Sequence, residues 1–354
     1  MTGLLDRTVR EIPPVDEALE RAARARLDRL TKPLGSLGRL EDLAARYVAM
    51  TGRLEPTVRR KIVCTFVGDH GVTAEGVSAY PAAVTPQMVF NFLRGGAGVN
   101  VLAKHVGAEV RVVDIGVAHD FGSPQGLITR KVVFGTRNMA LGPAMSRDEA
   151  IRAIEVGIAV AEEAIGDGAD LIGTGDMGIG NTTPSSAITA VLTGRAVAAV
   201  TGRGTGVDDK GLARKIDVIE RAILVNAPQA SDPLDVLAKV GGAEIGGIAG
   251  CILGAARHRV PVVLDGFISG AGALIAVGLQ PRCREYLVAS HQSVEQGHRV
   301  LLDHLALDPL LDLNLRLGEG TGACLGMSLV EAAVKLFSQM ATFDEAGVST
   351  RIDG

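Results

Sequence analysis

The sequence predicts an α/β protein: a doubly wound parallel sheet of about six strands, with a small helical domain formed by the N- and C-terminal segments. Three observations carry this prediction. Short apolar β-rich runs alternate with helical segments of ten to twenty residues, which is the pattern of βαβ units. Glycine and polar residues follow those runs, so they collect at the carboxyl edge of a parallel sheet, where sites form. Both ends of the chain read instead as helices without strands. The division this gives is residues 60–300 for the α/β domain and 1–59 plus 301–354 for the helical one.

In chain order, Val15 to Leu30 is a charged amphipathic helix with Ala18, Leu19, Ala22, Ala23, Leu27 and Leu30 as its apolar stripe. The turn-rich segment KPLGSLGRLE (residues 32–41) leads into a second helix over Leu40 to Met50. Lys61 to Val67 is a buried parallel strand opening into Gly68, Asp69, His70 and Gly71. That Asp–His pair is a metal ligand in one reading and a loop cap in the commoner one. Thr85 as N-cap and Pro86 at the first position start a helix to Leu93, and Gly95, Gly96 and Gly98 separate it from the next. Glu109 to Ile115 is a strand, and Ser146 with Glu149 is a capping box for a long helix to Ile165. The central strand, Ala169 to Gly173, delivers a glycine loop to a helix beginning at Thr182. GRGTGVDD (residues 202–209) precedes a helix to Asn226, and Asp232 with Pro233 starts another. Val260 to Leu264, ending in Asp265 and Gly266, and Arg284 to Ala289, ending in Ser290 and His291, are the last strands. Cys324 to Phe343 is the last long helix and is expected to pack with the N-terminal ones.

At 354 residues, 47% hydrophobic, the chain can build one large core with a smaller appendage. A net charge of −4 and no long run of Lys or Arg argue against nucleic acid as a partner. The first twelve residues carry Asp6, Arg7, Arg10 and Glu11 with no apolar leader, and Gly266 to Leu279 is too short and glycine-rich to span a bilayer. No membrane association and a cytoplasmic location are the expectation. Cys64, Cys251, Cys283 and Cys324 are far apart with no C-x-x-C pair, so they read as reduced core thiols.

The most informative stretch is LIGTGDMGIGNTTPSSAI, Leu171 to Ile188. Gly173, Gly175 and Gly178 satisfy the G-x-G-x-x-G spacing of dinucleotide folds, but no Asp or Glu occurs between Asp176 and Asp208 to hold a ribose hydroxyl. Gly175 and Gly180 followed by Asn181 and Thr182 match a P-loop, except that Asn181 stands where the lysine belongs. A triphosphate is therefore disfavoured, whereas a monophosphate at a glycine-rich helix start fits. The bland alternative is a tight strand-to-helix turn.

GDHGV at Gly68, GTGDMGIGNTTPSSA at Gly173, GTGVDD at Gly204, LDGFISGAGAL at Leu264 and GEGTGA at Gly318 together resemble one family, nicotinate-nucleotide:dimethylbenzimidazole phosphoribosyltransferase. The resemblance runs over nearly the whole chain, from KPLGSLGRLE to GEGTGA. It implies transfer of ribose 5-phosphate from nicotinate mononucleotide to 5,6-dimethylbenzimidazole with inversion, giving α-ribazole 5′-phosphate and nicotinate for the lower ligand of cobalamin. It further implies the fold above, a homodimer, and neither a metal nor a redox cofactor. Glu319 is by this likeness the base, and the segment VSAYPAAVTPQM, with Tyr80, Gln87 and Met88, lines the acceptor pocket. The glycine loop departs from the family in carrying Asp176 where glutamate is commoner, which makes that carboxylate a supporting one.

Residue chemistry agrees. The leaving group is a cationic pyridinium that departs neutral and needs no general acid, whereas the attacking benzimidazole must lose an N–H proton, which is work for one positioned carboxylate. Glu319, flanked by Gly318 and Gly320, and Asp176 are the candidates, against the alternative that Glu319 merely favours a helix start. Gly175, Gly178, Asn181, Gly204 and Thr205 are assigned to substrate, with Lys215 and Ser293 helping to hold the phosphate; a surface lysine is the competing reading of Lys215. Met177, Leu317 and Tyr80 form an apolar slot for a flat base or belong to ordinary core, and Asp265 sits at a strand end facing the site. His291, Glu295 and His298 read as a hydrogen-bonded helix start rather than a metal site. Two rival functions are a dinucleotide-dependent oxidoreductase and a non-catalytic binder of an aromatic base or nucleotide.

Overall fold

The computed structural model describes residues 3–349. Three helices come first, α1 (Leu4–Glu11), α2 (Glu17–Arg29) and α3 (Arg39–Thr51), then β1 (Lys61–Gly68), α4 (Val84–Leu93), α5 (Gly98–Val106), β2 (Ala108–Gly116) and β3 (Leu127–Thr129). The middle of the chain runs α6 (Arg147–Gly166), β4 (Leu171–Met177), α7 (Thr182–Thr193), α8 (Val197–Val200), α9 (Asp209–Asn226), α10 (Pro233–Val240) and α11 (Ala243–Arg257). It closes with β5 (Val262–Leu264), α12 (Phe267–Leu279), β6 (Leu287–Ala289), α13 (Gln296–Leu305), α14 (Thr321–Gln339) and α15 (Phe343–Ala346).

The six strands form one sheet in the order β3-β2-β1-β4-β5-β6, every neighbouring pair parallel. This is the doubly wound order, and its direction reverses between β1 and β4. All eight residues of β1 are buried because helices cover both faces. Alternation along β1 divides its side chains: a Cβ on Gly320, just before α14, would meet Val63, whereas one on Gly247 of α11 would meet Phe66. α11 and α6 cross so closely that a Cβ on Gly250 would stand 1.8 Å from the Ile154 carbonyl oxygen. On the other face α14 rests on β4 and β5 and packs against α3 and α5. Among the described residues α14 is long and apolar enough to cross a membrane, yet most of it is buried within the protein.

Several sequence expectations need correction. Thr85 is not an N-cap: α4 is preceded by Ala83, and the Thr85 Oγ1 accepts the Ile179 N–H at 3.1 Å. The central strand runs to Met177, so Gly173 and Gly175 are strand residues rather than loop. A Cβ on Gly175 would lie 2.2 Å from the Glu319 carbonyl oxygen, so this glycine makes room for a neighbouring turn rather than for an anion. Arg284 to Tyr286 form part of a 3-10 turn ahead of a strand of only three residues. The edge strand β3, the first helix α1 and the glycine-rich α11 were not anticipated. The Ser146–Glu149 capping box and the Asp232–Pro233 helix start are present as expected.

Candidate active site

The carboxyl ends of β1, β4, β5 and β6 open onto a cleft of about 450 Å³ at the sheet's switch point. It is lined by Tyr80, Met88, Asp176, Met177, Gly178, Asn181, Gly204, Thr205, Ser293, Leu317 and Glu319 among the anticipated residues. Four others, Gly175, Gly320, Asp265 and Lys215, lie behind the lining, and Gln87 is exposed on α4 outside it. Sequence reasoning missed Thr182, Phe267 and Arg316 as lining residues, whereas Val84 belongs to the VSAYPAAVTPQM segment expected to line the acceptor pocket. Arg316 borders the strongest motif and donates to the Gly204 carbonyl at 3.2 Å; its position beside Leu317 was the available signal.

The turn Leu317–Gly318–Glu319–Gly320 settles onto the end of β4. The Glu319 N–H donates to the Asp176 carbonyl at 3.1 Å and the Glu319 carbonyl accepts from the Thr65 hydroxyl at 2.8 Å. Glu319 itself has φ 66°, a left-handed conformation unfavourable for a side chain with Cβ. Backbone strain of that kind persists where surrounding structure over-determines it, commonly at functional sites. Glu319 is only 4% exposed. Its Oε2 accepts the Val99 N–H at 3.1 Å, at the start of α5, which supplies a helix dipole as well. Burial pushes the carboxyl above its usual range, against the Val99 and Gly98 N–H groups that pull it back. Oε2 thus caps a helix, the capped one being α5, and Glu319 also lines the cleft.

Asp265 anchors the same turn from beneath. One of its oxygens accepts from Gly322 and Ala323 (2.7 and 3.1 Å) and the other from Gly320 (3.1 Å), capping α14. Burial pushes it up to about 7 despite those three donors. Asp176 is buried with one oxygen bonded to the Asn181 amide at 2.8 Å and the other unpaired. Burial, reinforced by the nearby charge of Asp265, drives it well above the usual carboxylate range.

The anion-binding elements lie at the start of α7, where Asn181 spends its side chain on Asp176 and no side chain caps the helix. The Asn181 and Thr183 N–H groups donate to the Gly178 and Gly180 carbonyls (3.1 and 2.9 Å) and Pro184 has none, so of this turn the Thr182 N–H is left to a ligand. Lys215 is fully buried, not a surface residue, and donates to the Thr182 Oγ1 at 2.6 Å and the Gly202 carbonyl at 3.3 Å. Burial lowers it to about 8, with Glu295 opposing. Thr205 Oγ1 accepts from the Ala79 N–H at 2.9 Å, tying the Tyr80 segment to the GTGVDD loop.

The Asp–His loop after β1 proves structural. Asp69 accepts the Ala118 N–H at 2.9 Å, and His70 pairs with Glu244 at 2.7 Å in full burial. Burial works to lower His70, but the Glu244 charge and hydrogen bond prevail and raise it. His298 Nδ1 accepts the Ser293 N–H at 2.8 Å and Glu295 precedes α13, a hydrogen-bonded helix start. Among the described residues no three His, Cys, Asp or Glu side chains are grouped to hold a metal ion.

Comparison with known proteins bears on what this arrangement does. The profile of a family described as Phosphoribosyltransferase matches residues 12–348. The chain is 63% identical over 346 residues to the nicotinate-nucleotide–dimethylbenzimidazole phosphoribosyltransferase of Geobacter sulfurreducens, covering 98% of each chain. It is 60% identical over 349 residues to the protein of that name from Chloroflexus aggregans, covering 99% of each. The crystal structure of CobT from Thermus thermophilus superposes with a TM-score of 0.90 at 50% identity, covering 94% of this chain and 99% of that one.

Proposed function

The chain belongs to the nicotinate-nucleotide–dimethylbenzimidazole phosphoribosyltransferase family, and from that premise we propose that it transfers ribose 5-phosphate from nicotinate mononucleotide to 5,6-dimethylbenzimidazole. The observation that carries this reading is the combination found in one cleft. The Thr182 N–H at the start of α7, with Ser293 and the buried Lys215 nearby, suits a phosphate, Tyr80, Val84, Met88, Met177 and Leu317 suit a flat apolar base, and a partly desolvated carboxylate, Glu319, lines the same space.

In this mechanism a ring nitrogen of the benzimidazole attacks C1′ of the ribose from the face opposite the pyridinium. The C1′–N bond breaks with its electron pair going to nitrogen, so nicotinate leaves neutral at that atom. The new benzimidazolium loses its remaining N–H proton to the Glu319 carboxylate, whose raised proton affinity suits it to the task. Asp176 is the supporting carboxylate, orienting the acceptor or stabilising developing positive charge, with its proton affinity raised by burial and the nearby charge of Asp265. Absence of an acidic residue between Asp176 and Asp208 continues to disfavour the dinucleotide rival.

Homodimer formation and a cytoplasmic location belong to this reading by family likeness. So does the division into residues 60–300 and 1–59 plus 301–354, supported by the packing of α2 on α3 and α3 on α14. Mixing the protein with nicotinate mononucleotide and dimethylbenzimidazole and resolving products chromatographically tests the reading. α-Ribazole phosphate should appear with stoichiometric nicotinate; tight binding of either substrate without turnover would sink it.

A further inference from the structure

His291, the second residue after β6, is 2% exposed and lines the cleft. Its Nδ1 lies 3.0 Å from the Ser290 Oγ, and that hydroxyl donates to the Asp265 carbonyl at 3.2 Å. A hydroxyl has one proton to give. With that proton on the Asp265 carbonyl, the Ser290–His291 contact is a hydrogen bond only if Nδ1 carries the ring proton, which assigns the tautomer from the network. Burial lowers the ring to about 4, so at neutral pH there is no second proton. Nε2 is therefore a bare acceptor, and among the described residues no protein group donates to it. The ring is held in place by close packing: a Cβ on Gly322 would stand 2.0 Å from Nδ1.

The Cε1–Nε2 edge lies 3.6–3.7 Å from the Cβ position of Gly266, another residue of the cleft lining, and an acceptor placed there needs a donor. The phosphate and the nicotinate carboxylate are acceptors at neutral pH, and the pyridinium nitrogen is fully substituted. The benzimidazole N–H is assigned to Glu319. That leaves the ribose hydroxyls. Placement agrees, because His291 is two residues from Ser293 and packs on Gly322, three residues beyond Glu319, so it joins the phosphate elements to the base.

We infer that His291 binds the ribose of the donor, its Nε2 accepting a hydrogen bond from one of the two ring hydroxyls. The inference rests on the reaction proposed above. It makes His291 a determinant of ribose over deoxyribose. Gln and Met have similar volumes, but only Gln offers an acceptor near the Nε2 position. kcat/KM should be measured for wild type, His291→Gln and His291→Met with nicotinate mononucleotide and with its 2′-deoxy and 3′-deoxy analogues. Wild type and His291→Gln should prefer the parent donor over one analogue by about 3- to 10-fold, the scale of one neutral hydrogen bond. His291→Met should lose that preference while turning over the same analogue as wild type does. If His291→Met keeps the preference, or is slowed equally with all three donors, the inference is overturned. Failure of wild type to make α-ribazole phosphate from the parent donor would instead overturn the reaction itself.

Discussion

Replacing Lys215 by methionine should make the protein more stable and a poorer binder of its donor. The amine is fully buried, among the described residues no carboxylate is in hydrogen-bond contact with it, and burial lowers it from 10.5 to about 8. At ~1.4 kcal/mol per tenfold change in proton affinity this is a penalty on the order of 3 kcal/mol at pH 7. The hydrogen bonds to Thr182 and Gly202 offset part of it, ~1 kcal/mol each, leaving a net gain for Lys215→Met of about 1 kcal/mol. Between pH 8 and 10.5 the unfolded chain holds more protons, so wild-type stability rises across that window, with the full penalty present below it. The variant should not show that rise. Its donor affinity should fall ~10- to 150-fold, the scale of a hydrogen bond to a charged group, because the charge stands directly behind Thr182 and Gly204. Urea unfolding at pH 7 and pH 10 with calorimetric titration of nicotinate mononucleotide measures both. Unchanged donor affinity, or a variant less stable than wild type by more than ~2 kcal/mol at pH 7, would refute the reasoning.

Gly175→Ala puts a Cβ 2.2 Å from the Glu319 carbonyl oxygen, so it should cost ~1–3 kcal/mol and depress kcat more than substrate binding; thermal unfolding alongside steady-state kinetics would show a harmless substitution if the turn were free to move. Thr85→Val removes the acceptor for the buried Ile179 N–H, and calorimetry should show a loss of ~1–3 kcal/mol with a raised KM for the acceptor base. Glu244→Ala leaves His70 without its partner and should cost ~3–5 kcal/mol in urea unfolding. Because His70 is raised in the fold, the pair's contribution is present below its ordinary 6.5 and fades as pH rises through the folded value, a dependence the variant should lack.

Elements with a strong local pattern were readable in the sequence. The capping box at Ser146 and the apolar run of β1 declare themselves locally, and both stand where expected. β3 and β6, three residues each, were not, or not at their true length: a strand that short has no periodicity, and its pairing is decided by the sheet. α11 carries no clear amphipathic stripe because it is buried all round, and its glycines bring it against α6. For the site, ordered motifs located the cleft, but the tertiary partner of each residue was invisible. Nothing local says that Glu319 caps α5, 220 residues earlier, or that Lys215 is buried. The Thr85–Pro86 pair looked like a helix start, yet the hydroxyl was committed to Ile179 across the cleft wall.

Glu319→Gln tests the proposed base most directly, because the amide oxygen can still accept the Val99 N–H that holds the turn but cannot take a proton. The variant should unfold as wild type does, bind both substrates, and lose kcat for α-ribazole phosphate formation by ~10²–10⁴-fold. A correctly folded Glu319→Gln protein with near-wild-type kcat would contradict the account and leave this carboxylate as a helix cap alone.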